Sequence, residues 1–171
     1  MSASSRVVLV VALVTGMSVA GVAASPPVPP GQVQLDRIVS RVNGRVITQS
    51  DVRQARALKL VDDVSSDGAA QRAVENRFLI LGEMSRSAPV APPSDADIAS
   101  HRAAWAASVG PDAQGLMARN GLSENDLQVW MRDDLRIRAY LARQFGMLPD
   151  AERGRATDDW LNRLRQRADL K

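Results

Sequence analysis

Few side chains in this sequence could do acid–base or covalent chemistry, and they do not form a set. There is one histidine, His101, and no cysteine. That leaves no Cys–His pair for nucleophilic catalysis, and no His/Cys cluster with zinc-ligand spacing. A Ser-His-Asp triad needs only one histidine, but no G-x-S-x-G turn accompanies His101. The simpler placement for His101 is a surface or partly packed position on a helix. Carboxylates come as sequence neighbours, Asp62-Asp63, Asp133-Asp134 and Asp158-Asp159. Neighbours on a helix point to different sides, so these pairs make poor metal clamps and suit capping and solubility. No G-x-G-x-x-G or phosphate-binding loop occurs. The chemistry therefore points to binding without catalysis, and to no metal, ATP or other cofactor. One polar pair falls on an apolar helical face. Asp134 and Arg138 are four residues apart and can pair across one turn. They read either as a polar contact inside a binding crevice or as an edge pair whose arginine stem lies on apolar surface.

The composition narrows the partners. At 171 residues there is room for one domain and a leader. Aromatic residues make up 4%, so the core must be largely aliphatic. The net charge is +3, and both signs are mixed along the chain without a basic block. A nucleic-acid surface would gather its bases on one face, so nucleic acid is not an expected partner.

The elements that would position these residues can be read in order. Met1 to Ala24 has the architecture of a secretory signal peptide: Arg6, an apolar run from Val7 to Val14, then small residues up to Val22-Ala23-Ala24. If uncleaved, it would be the only membrane contact; Thr15, Gly16 and Ser18 make it a poor span. In either case the folded part lies outside the cytoplasm. Ser25 to Gln34, with four prolines, is an extended connector. The folded span then opens on LDRIVSRVNGRVITQSDV, Leu35 to Val52. Ile38, Val39 and Val42 suggest a strand, Asn43-Gly44 a type I′ turn, and Val46-Ile47-Thr48 a second strand. Ser50 and Asp51 are expected to cap the following helix.

Helical patterns fill the rest. They cover about Asp51–Leu60, Ala69–Ser87, Asp95–Ser108 and Asp112–Arg119, then a long helix opened by Ser123 and ended by Gly146. The second carries the strongest stripe, with Arg77 among its apolar positions, and should be central; Gly82 inside it suggests close helix packing. Leu148 to Thr157 reads as a polar connector. Thr157-Asp158-Asp159 should cap a last helix from Trp160 to about Ala168, and the tail to Lys171 is placed to add a third strand to the hairpin. The expected fold is mostly α, with a small antiparallel β-hairpin.

The Leu35–Val52 stretch resembles the opening of the SurA-type periplasmic chaperones. Asp36, Asn43, Ser50 and Asp51 match that family's pattern, with Ile38, Val42, Val46 and Ile47 at its apolar positions. The succession of hairpin, helices and long helix resembles the family's N-terminal chaperone domain, and Trp160-Leu161-Asn162-Arg163-Leu164-Arg165 resembles its closing element. The likeness spans about Leu35 to Lys171. It implies a helical chaperone domain in the periplasm that binds unfolded exported polypeptides, such as outer-membrane protein precursors. Family members usually insert parvulin prolyl isomerase domains before the closing helix. Here only Met147 to Ala156 stands in that place, too short for a domain, so isomerase activity is not carried over. Trp105, Met117, Trp130, Met131, Tyr140 and Phe145 are the candidates for a client groove, since methionine adapts to varied shapes and Trp and Tyr offer broad contact area. Residues on apolar helical stripes more often pack inside, so the same set also reads as plain core. Competing readings are an isomerase-associated protein and an assembly partner, including a homodimer built on the helical face.

Overall fold

The chain reverses direction at Asn43-Gly44, whose φ values of 50° and 82° are the left-handed pair that a type I′ turn requires. This turn joins strand β1 (Ile38–Val42) to strand β2 (Arg45–Thr48), antiparallel, with Val42 opposite Arg45 and Ser40 opposite Ile47. The register shifts between Ile38 and Ser40, which leaves Val39 as a bulge. Without it, Ile38 would share the inner face of Ser40 and Val42, because alternate strand residues face one side. With it, Ile38 turns outward and is 55% exposed, while Val42 and Ile47 are buried. The computed structural model describes residues 36–87 and 91–168. The signal-like segment, the Pro-rich connector and the tail expected as a third strand (residues 169–171) lie outside the described residues. The described sheet has two strands.

Helix α1 (Gln49–Ala57) starts two residues earlier than the sequence pattern suggests. Its N-cap is Thr48, not Ser50. Thr48 Oγ1 accepts from the Asp51 N–H at 3.2 Å, and the Asp51 carboxylate accepts from the Thr48 N–H at 2.8 Å, a reciprocal capping box. Asp51 thus keeps its expected place at the helix start. The Ser50 N–H instead donates to the carboxylate of Asp36, at 3.2 and 3.3 Å. Donation from the Thr48 and Ser50 side chains and from the Ser50 N–H holds that carboxyl below its ordinary range.

Helix α2 (Asp67–Arg86), capped by Ser66, is central as its stripe implies, packing against β1, α1 and two later helices. Gly82 has a different reason from the one expected. A Cβ there would stand 3.0 Å from the Asn43 side-chain amide, so the glycine lets the hairpin turn approach α2. Helix α3 (Asp95–Val109) opens with a reciprocal Ser94–Asp97 capping box. Helix α4 (Ala113–Arg119) is short, and helix α5 (Glu124–Phe145) is capped by Ser123 Oγ accepting from the Asp126 N–H.

Helix α6 (Asp150–Arg167) corrects the reading of a polar connector. It begins after Pro149, a residue compatible with a helix start, and Asp150 and Glu152 place negative charge at its positive end. Thr157 lies inside it, with its hydroxyl donating to the Arg153 carbonyl at 2.9 Å, and so caps nothing. Residues 151–155 are exposed, which is why no apolar stripe marks them; Ala156 is the first α6 residue packed on the core, and Trp160, Leu161 and Leu164 are the buried ones. The core is aliphatic as expected, with Ile47, Leu58, Leu79 and Leu127 fully buried.

The capping box yields a contrast that urea unfolding can measure. Thr48→Ala should lower stability by about 1 kcal/mol, as loss of an N-cap does. Ser50→Ala should cost clearly less.

Candidate functional site

The site is framed by a backbone turn between α1 and α2. Leu58 and Leu60 are buried, and Lys59 between them has φ 48°, a left-handed conformation in a non-glycine residue. For an L-residue this costs about 1–2 kcal/mol. Two indoles hold it there. Trp105 Nε1 on α3 donates to the Leu58 carbonyl at 2.8 Å, and Trp130 Nε1 on α5 donates to the Leu60 carbonyl at 2.9 Å. The Lys59 ammonium closes the corner by donating to the Ser108 carbonyl at 2.8 Å. Gln54 Nε2 also ties α1 to the turn after α4, donating to the Asn120 carbonyl at 2.8 Å.

Below this turn α2, α3, α5 and α6 leave a groove of about 540 Å³. Its apolar lining comes from Ile80, Trp105, Trp130, Met131, Ile137, Leu141 and Leu161. A charged cluster lines it as well. Arg77 enters from α2 and is only 7% exposed. Its guanidinium lies over the Trp130 ring, 4.1 Å from the ring centre, and donates to the Trp130 carbonyl at 2.8 Å. Nη1 faces Asp134 Oδ1 at 3.5 Å. Burial pushes the Arg77 pKa down to about 10, against the opposing pull of Asp134 and Asp133. Arg77 is therefore still charged at neutral pH. The other Asp134 oxygen accepts from Arg138 Nε at 2.9 Å and lies 2.8 Å from His101 Nε2.

One carboxylate thus serves two guanidinium groups and an imidazole. A histidine–carboxylate pair is half of a nucleophile-activating arrangement. Here the carboxylate is shared with two arginines, and among the described residues no hydroxyl bonds the imidazole. Nor does any group of three or more His, Cys, Asp or Glu among them stand ready for a metal ion. No helix among them is long and apolar enough to cross a membrane. What the arrangement offers is an apolar channel with a fixed polar cluster, a surface suited to binding.

The groove gathers only part of the sequence-derived set. Trp105, Trp130 and Met131 line it, although Trp105 and Met131 are mostly covered. Met117, Tyr140 and Phe145 do not line it; they are buried elsewhere in the core and present no surface to a partner. Tyr140 and Phe145 lie on the part of α5 that faces α6, with ring centres 6.0 and 5.7 Å from that of Trp160. Asn43 and Gly44 form the turn away from the groove. Asp134 and Arg138 pair as their spacing implies, and both line the groove, Asp134 the more covered and Arg138 the more exposed. Arg77 and His101 are the additions. Arg77 could have been found from its place in the α2 stripe, since an arginine there must be paired or buried with a partner. His101 carried no such signal. No protein-family model, no curated protein and no solved structure matches this chain.

The cluster makes Asp134 more consequential than Arg138. Asp134→Ala removes the nearest counter-charge from buried Arg77 and should cost about 2 kcal/mol or more in urea unfolding. Arg138 is 62% exposed, so Arg138→Ala should cost at most about 0.5 kcal/mol.

Proposed function

We propose that this chain is an exported, ATP-independent chaperone that holds unfolded polypeptides in the groove between α2, α3, α5 and α6, with outer-membrane protein precursors as the client class. The observation that carries this reading is the groove itself. Its volume of about 540 Å³ is in the range of binding clefts and exceeds what packing defects leave. Its lining is apolar: Trp130 and Leu141 are partly exposed in it, with Met131, Ile137 and Leu161 almost fully buried around them. The cluster at Asp134 adds polar groups that can bond an extended backbone. The signal-peptide architecture of Met1 to Ala24 and the resemblance of Leu35 to Val52 to SurA-type chaperones support the periplasmic setting. Binding would be weak and reversible, with release coupled to client folding.

A second reading has its own observation. Ile38, 55% exposed, and Val46, 37% exposed, share the outer face of the hairpin. Such a face favours an assembly partner, including a second copy of the chain, over a monomeric holdase. Multi-angle light scattering separates the two, with a dimer that dissociates in Val46→Lys supporting assembly.

The direct test is light scattering of an unfolded outer-membrane barrel protein diluted into buffer with the purified mature chain. Stoichiometric protein should suppress the signal. Ala104→Glu, a charge set at an exposed position on the groove wall, should restore most of it. Unchanged scattering with the wild-type chain rejects the holdase reading.

A further inference from the structure

We propose that the groove selects apolar segments carrying an internal acidic side chain, and that Arg138 is the residue that reads this acid. The inference rests on the groove being a polypeptide site and adds the chemistry of what it prefers.

The argument starts from the charge balance around Asp134. Two guanidinium groups, those of Arg77 and Arg138, converge on this one carboxylate, and the His101 imidazole shares it. The next carboxylate along α5, Asp133, is paired with Arg136 at 3.1 Å. At Asp134 two arginines face one carboxylate, a local excess of one positive charge, while elsewhere in the groove Asp62 and Asp63 outweigh Lys59. Arg77 cannot offer the excess charge at Asp134 to a ligand, because its ends are committed to Trp130 and Asp134 and it is 7% exposed. Arg138 can. It touches Asp134 through Nε, is 62% exposed, and its two terminal nitrogens make no hydrogen bond among the described residues. Those nitrogens form one edge of a planar fork that matches a carboxylate in two parallel bonds. Arg138 lines the groove together with the apolar Leu141 and Leu161.

Asp62 and Asp63 also line the groove, next to the turn that Trp130 holds through Leu60. Arg138 lies eight residues beyond Trp130 on α5, or about 12 Å along the helix. An acid in the bound segment is repelled near Asp62 and Asp63 and accepted at Arg138, so a single acidic residue among apolar neighbours sets both the affinity and the place of the segment along the groove. A lysine in place of Arg138 would keep the charge but lose the fork.

The test uses the full mature chain and three dye-labelled apolar peptides read by fluorescence anisotropy. Two have blocked ends and differ only in a central Glu or Gln; the third carries the Gln and a free C-terminal carboxylate. The Glu peptide should bind about fivefold tighter than the blocked Gln peptide at low salt. That ratio should shrink as NaCl is raised, and should fall to about one in Arg138→Gln. Arg138→Lys should retain only part of it. Equal binding of the two blocked peptides to the wild-type chain overturns this inference and leaves the groove reading standing. An undiminished ratio in Arg138→Gln overturns the role of Arg138. Binding of the free-carboxylate peptide as tight as that of the Glu peptide overturns the internal acid as the selected group. Binding of none of them overturns the groove reading as well.

Discussion

The left-handed turn at Lys59 is the constraint on which the rest of the structure depends. It carries the chain from α1 into α2 and buries Leu58 and Leu60 on either side. A lysine gains nothing from that conformation by itself, so the turn persists because its surroundings over-determine it. Those surroundings are two indole N–H groups from separate helices, each bonded to one of the flanking carbonyls. Trp105 and Trp130 are thus hydrogen-bond donors first and apolar surface second. Through them α3 and α5, which also pack on each other, are both registered against the turn that follows α1.

The buried guanidinium of Arg77 is the second dependency. It uses three kinds of compensation at once: a ring face, a backbone carbonyl and a carboxylate. Each is modest, and burial still moves its pKa down. The cluster therefore fixes the geometry of α2 against α5 more than it adds stability, in line with the general behaviour of buried ion pairs. Placing it in the groove keeps an otherwise greasy channel partly polar.

Local signals in the sequence were the legible ones. Asn43-Gly44 and the Ser123 cap each depend on residues within three positions of one another, and each forms as read. The central place of α2 was legible from its stripe. Thr48 was missed as a cap because a β-branched residue at the end of a strand pattern reads as strand, and here it serves both strand and helix. The first half of α6 was missed because an exposed helix has no apolar period, only Pro149 and early acids. The candidate site was legible in three of its residues, Trp105, Trp130 and Met131. Tyr140 and Phe145 fall outside the groove, against Trp160, because α5 is apolar toward two neighbours and a single stripe cannot say which helix covers which part. The links from Asp134 to Arg77 and His101 join residues more than thirty positions apart, beyond the reach of spacing within one helix.

The short corner between α5 and α6 has a consequence for chain architecture. Only Gly146 to Pro149 separate the two helices, and Met147 at its tip is 98% exposed. Met147 is not among the core residues, although its neighbour Leu148 packs against the core. The entropy of closing a loop rises only with the logarithm of its length, about 0.6 kcal/mol per doubling. The corner is therefore a port: a whole folded module could be spliced in after Met147 while α5 and α6 kept their contacts, turning a minimal domain into the frame of a larger protein.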